Sequence, residues 1–326
     1  MITEEQKSYL AGFCDGEACI GMAKDGSIFV SISQVSRAPM DLLASVTGTT
    51  LSYRNPNIVT NTRGTWNFKV SGIKAKILLT YIVGYMRQKK DQAQLAIYLF
   101  DVSVLERKAH QAELTSFNRI GKSGPKFDAA CLPGINNAAF PTWTPTDASY
   151  HAGFFDAEGC VVAGCNNSLC AVIVQVDPTK TLSDLSVDFL TRIYCSTSSA
   201  KYRNTRPLYR IQFYGDKGYV YLSLIRPYLL VKREQAEVFS DWYDIRGVQE
   251  KEEACQRLHT MNLHGLGRNT ERTITSFIDN WCPEETDPFT SYWQPDIYLS
   301  AVPTDTPMNT IAGCAQEREL YTSRWS

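Results

Sequence analysis

The chain has 326 residues, a formal net charge of −1 and an ordinary hydrophobic content of 44%. That length holds about two domains. The balanced charge excludes a sequence-blind polyanion binder with a uniformly basic surface, and no apolar run is long enough for a membrane span. Divided along the chain, the charge is +5 over residues 1–145, zero over 146–247 and −6 over 248–326, so a local basic groove stays open and the acidic weight lies at the C-terminal end. The ten cysteines, with no basic or apolar leader ahead of them, read as reduced thiols. The protein is therefore expected inside the cell, in the compartment that encodes it, and as a monomer.

The first element is a helix. Thr3-Glu4-Glu5-Gln6 has the form of a capping box, with Thr3 as N-cap and Gln6 three positions later. The helix it starts runs through YLAGFCDGEAC at residues 9–19, and that stretch returns as YHAGFFDAEGC at 150–160, with seven of eleven positions identical. Thr144 followed by Pro145 marks the start of the second helix. Glu17 and Glu158 are separated by 141 residues, Gln34 and Gln175 by 141, and Lys89 and Lys232 by 143. A sustained offset of this kind is an internal duplication. Within the two helices, Ala11, Gly12 and Gly16 match Ala152, Gly153 and Ala157, placing small residues on one face. Gly inside a helix costs roughly 0.5–1 kcal/mol relative to Ala. Close packing of the two helices about a pseudo-twofold axis justifies that cost; separate packing of each helix on its own domain is the alternative.

Strand-like sequence follows each motif. Residues 27–35 and 169–177 are β-branched and end near Gln34 and Gln175. Helices are expected from Pro39 to about Val46 and from Pro178 to about Tyr194, then strands at 50–54 with 65–70 and at 199–204 with 208–214. Tyr209, Ile211 and Phe213 alternate with Arg210, Gln212 and Tyr214, as Trp66, Phe68 and Val70 alternate with Asn67 and Lys69. One sheet face per copy is thus expected to be apolar and the other to carry Arg, Lys, Gln and Asn. Helices at Ile73–Tyr81 and Gly218–Ile225 come next, then MRQKKDQAQ at 86–94 and LVKREQAEV at 230–238, followed by long helical segments. The boundaries are a first repeat over 1–120, a Gly- and Pro-rich linker over 121–143, a second repeat over 144–281 and a C-terminal extension over 282–326, whose last part reads as an extended wrap or as disorder.

The repeated acids carry the chemistry. Near the end of a helix, the partial negative charge of the backbone disfavours a carboxylate by roughly 0.3–1 kcal/mol. Two carboxylates brought together also raise each other's pKa. A divalent cation resolves both conflicts, and hard oxygen ligands suit Mg²⁺, with Mn²⁺ or Ca²⁺ as substitutes. Such a site serves phosphodiester cleavage; local capping by each acid is the structural alternative. The polar sheet faces supply candidate DNA contacts at Arg54, Arg63, Lys69, Lys201, Arg203, Arg210 and Gln212, with Arg37 beside them. Gln34 and Gln175 are candidates for base edges, because Gln pairs bidentately with adenine.

The two stretches resemble the LAGLIDADG motif, and residues 3–260 are similar to a single-chain, two-repeat LAGLIDADG homing endonuclease. The resemblance implies an α+β fold: two pseudo-symmetric αββαββα repeats whose antiparallel sheets form a saddle around the two-helix interface. It implies cleavage of a long double-stranded DNA site with divalent metal, leaving short 3′ overhangs. By motif position Glu17 and Glu158 take the metal-ligand role, assisted by the Gly16 and Ala157 carbonyls. The family lysine maps onto Lys89 and Lys232, a few residues before Gln92-Ala93 and Gln235-Ala236, where it polarises water or stabilises the phosphorane. An intron RNA maturase and a catalytically silent DNA-binding protein use the same scaffold and are the alternatives. Two departures predict unequal half-sites: Ala18 stands opposite Gly159, and Arg37 opposite Pro178. The Cys160, Cys165 and Cys170 series and the Cys255, His259 and His264 group match no tight zinc-ligand spacing. His151 occupies the position of Leu10 and reads as a helix-interface residue.

Overall fold

The computed structural model describes residues 2–56, 63–117, 140–163, 168–175, 179–196 and 208–264. The first half runs α1 (Glu4–Glu17), β1 (Cys19–Met22), β2 (Ile28–Gln34), α2 (Ala38–Thr47), β3 (Ser52–Arg54), β4 (Thr65–Ser71), α3 (Ile73–Ile82) and α4 (Lys90–Leu99), closing with the short α5 (Val104–Ala109) and α6 (Gln111–Phe117). The second half repeats the plan as α7 (Pro145–Glu158), β5 (Gly159–Ala163), β6 (Leu169–Gln175), α8 (Lys180–Asp188), β7 (Ile193–Ser196), β8 (Leu208–Tyr214), α9 (Gly215–Ile225), α10 (Arg233–Asp244) and α11 (Val248–His264). Each half contains a four-stranded antiparallel sheet, in the order β1-β2-β4-β3 and β5-β6-β8-β7. The fold is α+β, and among the described residues no helix is long and apolar enough to cross a membrane.

Both motif helices start as the sequence predicts. Thr3 Oγ1 accepts from Gln6 N at 3.2 Å while Gln6 Oε1 accepts from Thr3 N at 3.0 Å, and Thr144 with Asp147 repeats the box. α1 and α7 then pack on each other along their length, the most extensive contact between any two elements. Glycine is required there: a Cβ on Gly12 would lie 2.0 Å from the Tyr150 carbonyl oxygen, and one on Gly153 would lie 2.0 Å from that of Tyr9. Ser8 Oγ donates to Thr146 O and Ser149 Oγ to Glu5 O, both at 2.6 Å, so the crossing is hydrogen-bonded reciprocally as well as packed. A single apolar core passes from one half through the helix pair, built on Phe13, Phe154 and Phe155, into the other.

Three differences from the expected elements concern strands. β1 and β5, each beginning within two residues of its acid, escape a reading of the sequence because they are only four and five residues long. α8 stops at Asp188 instead of running to Tyr194: Leu190 takes a left-handed backbone with φ 46°, and Ile193 and Tyr194 pair with Ile211 and Arg210 of β8. Here the sheet edge overrides the apolar pattern that extended the helix. The partner of β8 is therefore Ile193–Ser196, while the expected strand at 199–204 falls outside the described residues. So do most of the linker and all of the C-terminal extension.

Candidate active site

The two motif helices end side by side. At the C-terminus of α1, an added Cβ on Gly16 would meet Ala157 Cβ at 2.4 Å and Glu158 Oε1 at 3.5 Å, so the second acid lies against the end of the first helix. Glu17 and Glu158 are both half-buried. Burial pushes the Glu17 carboxyl up to about 7, with the neighbouring Glu158 charge adding to it and Lys232, Lys89 and Gln34 opposing. Burial also raises Glu158, against Gln175, Lys232 and Lys89. This is the conflict expected of two carboxylates at one desolvated position.

Lys89 and Lys232 occupy the N-cap positions of α4 and α10. Lys89 Nζ donates to the Cys14 and Gly16 carbonyls at 3.0 and 3.2 Å, and Lys232 Nζ to those of Phe155 and Asp156 at 2.7 Å each. Each ammonium thus caps the end of its own motif helix, where the helix dipole favours a cation. Burial lowers the pKa of both lysines, opposed by the adjacent aspartates and by both glutamates. The Gly16 carbonyl, expected to assist a metal, is already an acceptor for Lys89.

What fixes the lysines is a pair of residues that the sequence reading passes over. Asp15 accepts from the backbone N–H of Arg87, Gln88 and Lys89 at 2.7, 3.0 and 2.9 Å. Asp156 does the same for Leu230, Val231 and Lys232 at 2.7, 3.1 and 2.8 Å. Each aspartate is buried and caps a helix to which it does not belong. A tyrosine of the opposite motif helix completes each set: Tyr150 OH donates to Asp15 at 2.7 Å and Tyr9 OH to Asp156 at 2.8 Å. Tyr and Asp are among the seven positions shared by the two copies, so the repeat itself marked them. Gln92 and Gln235 anchor the same helices from below, to the Ile20 carbonyl and the Val161 N–H at 2.9 and 3.2 Å.

The expected DNA contacts separate. Arg54 and Lys69 are exposed on the outer face of the first sheet, and Arg210 with half-buried Gln212 on that of the second. Arg63 is exposed in the approach to β4. Arg37 is exposed beside α2, paired with Asp41 at 3.1 Å and lying over the Trp66 ring. Lys201 and Arg203 lie outside the described residues. Gln34 is not directed outward: it pairs in register with Trp66 on the core-side face, and its Nε2 donates to Glu17 Oε1 at 3.0 Å. Gln175 holds the matching position near Glu158, its buried Nε2 meeting no acceptor in good geometry. The expectation that the glutamines read base edges is therefore corrected for Gln34: it continues the core-side face of Val30 and Ile32, which reaches the acid at the strand end.

No set of three or more His, Cys, Asp and Glu suited to a metal occurs among the described residues. The donors at the helix ends are two carboxylates and the last helical carbonyls. That set suits a hard cation which keeps water and substrate oxygens in its shell, as Mg²⁺ does with one or two carboxylates. Burial is the main cause that raises Glu17 and Glu158, and a cation held between them would favour their ionised forms. His151 is buried, its ring stacked on Trp143 with centroids 4.2 Å apart and its Nε2 3.3 Å from the Arg87 guanidinium.

No protein-family model and no curated protein matches this sequence. Among solved structures the chain is similar to the LAGLIDADG meganuclease I-AabMI bound to uncleaved DNA, at 16% identity over 82% of this chain and 99% of that one, with a TM-score of 0.48. It is similar to the LAGLIDADG homing endonuclease I-GzeII in complex with its DNA target, at 14% identity, 82% and 99% coverage and a TM-score of 0.49. A third is I-SmaMI bound to uncleaved DNA in the presence of calcium ions, at 13% identity, 80% and 97% coverage and a TM-score of 0.48.

Proposed function

We propose that this chain is a LAGLIDADG-type homing endonuclease: a site-specific, divalent-metal-dependent DNA endonuclease with one composite active site at the joined ends of α1 and α7. The observation that carries this reading is the duplicated pair of acids, Glu17 and Glu158, brought together by close-packed helices with one half-buried lysine at the end of each helix. Burial raises both carboxylates in spite of Lys89 and Lys232, so a cation has a place at the joined helix ends, and DNA binding alone has no need of both acids. β1 and β5 leave the acids directly, so each sheet begins at the site and extends from it. A double-stranded DNA lying on the outer sheet faces passes over the acids.

Glu17 and Glu158 would hold the cation, with the Ala157 carbonyl the freer of the two backbone candidates. When bound, the metal supplies Lewis-acid charge to the phosphodiester oxygens. The chain's own residues do the rest. Gln34 orients the Glu17 carboxylate through its amide. Lys89 and Lys232, held at the helix ends, present positive charge where the phosphorane develops. Arg54, Lys69 and Arg210 serve the phosphate backbone, which positions the duplex. Two acid–lysine units of opposite orientation suit one cut in each strand, and short 3′ overhangs are the expected product.

The test is incubation with Mg²⁺ and a plasmid library of randomised duplex sites, followed by sequencing of the ends. Recovery of one long site with short 3′ overhangs is expected, and EDTA should abolish it. Binding of a selected duplex with no cleavage in Mg²⁺ or Mn²⁺ would overturn the enzymatic reading and leave a DNA-binding protein.

A further inference from the structure

Taking the endonuclease reading as its basis, we infer that Tyr9 and Tyr150 are positioning residues acting in trans, each holding in place the lysine of the opposite half through a buried aspartate. The path is continuous. Tyr9 of α1 donates to Asp156 Oδ2, the same oxygen that takes the Leu230 and Val231 N–H groups, while Asp156 Oδ1 takes the N–H of Lys232. Tyr150 of α7 donates to Asp15 Oδ2, which also takes Arg87 and Gln88 N–H, while Asp15 Oδ1 takes that of Lys89. Both tyrosines are fully buried, and both hydroxyls cross the interface. Neither touches the acids or a substrate. Their effect is on the orientation of a carboxylate whose other acceptor positions define the turn that carries the lysine. Neither half therefore completes its own lysine.

The two arms are not equally supported. The Tyr150 hydroxyl also meets Thr181 Oγ1 at 3.0 Å, and the Arg87 guanidinium lies 4.4 Å from its ring centroid. At the corresponding positions of the other half stand Met40 and Leu230, which offer Tyr9 neither a hydroxyl nor a cation. Among the described residues Tyr9 has no second polar support beside its bond to Asp156, so loss of that bond should be felt more.

Tyr→Phe keeps the ring and its packing and removes only the crossing bond. Hydrogen exchange on the full chain should show Tyr9→Phe accelerating the 230–232 amides by about tenfold, the scale for a lost hydrogen bond to a charged group, and leaving 87–89 unchanged. Tyr150→Phe should do the reverse, by a smaller factor. On a plasmid carrying a site recovered with the wild-type protein, Tyr9→Phe should slow the strand that Lys232→Ala slows, and Tyr150→Phe the strand that Lys89→Ala slows. Exchange altered in the tyrosine's own half, equally in both halves or in neither, or both strands slowed alike, would overturn the inference. A wild-type protein that cuts no site would sink the endonuclease reading while the exchange pattern still judged the crossing.

Discussion

The outer face of the first sheet carries Ser31, Ser33, Asn67, Lys69, Ser52 and Arg54, mostly exposed, beside Cys19 and Phe29. The matching face of the second carries Cys160, Val162, Cys170, Val172 and Val174, with Arg210 and Gln212 on β8 and Tyr194 beside them. The expectation of one polar face per copy fits the first half better than the second, where among the described residues β5 and β6 turn Cys and Val outward and the polar positions are on β8 and at Ser196 of β7. Beneath these faces the two halves share one plan of helix, acid, aspartate, lysine and crossing tyrosine. The likeness of the two halves is thus concentrated at the helix ends and the difference at the sheet faces. Under the proposed endonuclease reading, the two sheets would meet the two halves of a target differently, the first with more polar side chains than the second.

The largest expected effect tests the part that is equal. Gly12→Ala and Gly153→Ala each force a methyl against a backbone carbonyl, and each should destabilise by about 3 kcal/mol, the upper range of overpacking. Denaturant midpoints measure it, and a large difference between the two would break the symmetry of the interface. Glu17→Gln and Glu158→Gln should each lower double-strand cleavage by at least about 100-fold, the scale seen when metal-site residues are lost, while binding of the selected duplex persists. Loss of binding together with cleavage would assign the acids a structural role instead.

The acids also set a pH dependence. Glu17 titrates at about 7 in the fold against an ordinary 4.5. Between those values the folded state holds the proton more tightly than the unfolded one, so stability of the metal-free protein should fall as pH rises from about 4.5 to about 7. Mg²⁺ should therefore raise the melting temperature at pH values above 7 and change little below 5, and Glu17→Gln should flatten both trends. On the sheets, Lys69→Ala and Arg210→Ala should each reduce the salt slope of DNA binding by about 1 if each meets one phosphate. Adding Arg54→Ala should widen the gap in favour of the first half. The smallest effect should come from the glutamines. Gln34→Ala loses a hydrogen bond to Glu17 and should shift the acid limb of the cleavage profile upward, whereas Gln175→Ala, which loses no well-formed bond, should shift it less; a hydrogen bond of this kind contributes about 1 kcal/mol.

The sequence by itself determined the duplication, both capping boxes, the small-residue face of the motif helices, the paired acids and lysines and the bounds of β2, β4 and β8. These depend on local rules, such as cap chemistry, period-two alternation and the identity of repeated letters, and such rules can be read without a fold. Tertiary structure alone decided the remainder. β1 and β5 are too short to show a period and form because β2 and β6 pair with them. α8 ends early because the edge of the second sheet takes Ile193 and Tyr194. Gln34 turns to Glu17 rather than outward because the strand end brings the core-side face up to the acid. The link from Tyr9 to Lys232 joins residues more than two hundred positions apart through one carboxylate. Its members were visible as repeated letters, but a hydrogen bond across an interface depends on distance and direction, which repetition does not encode.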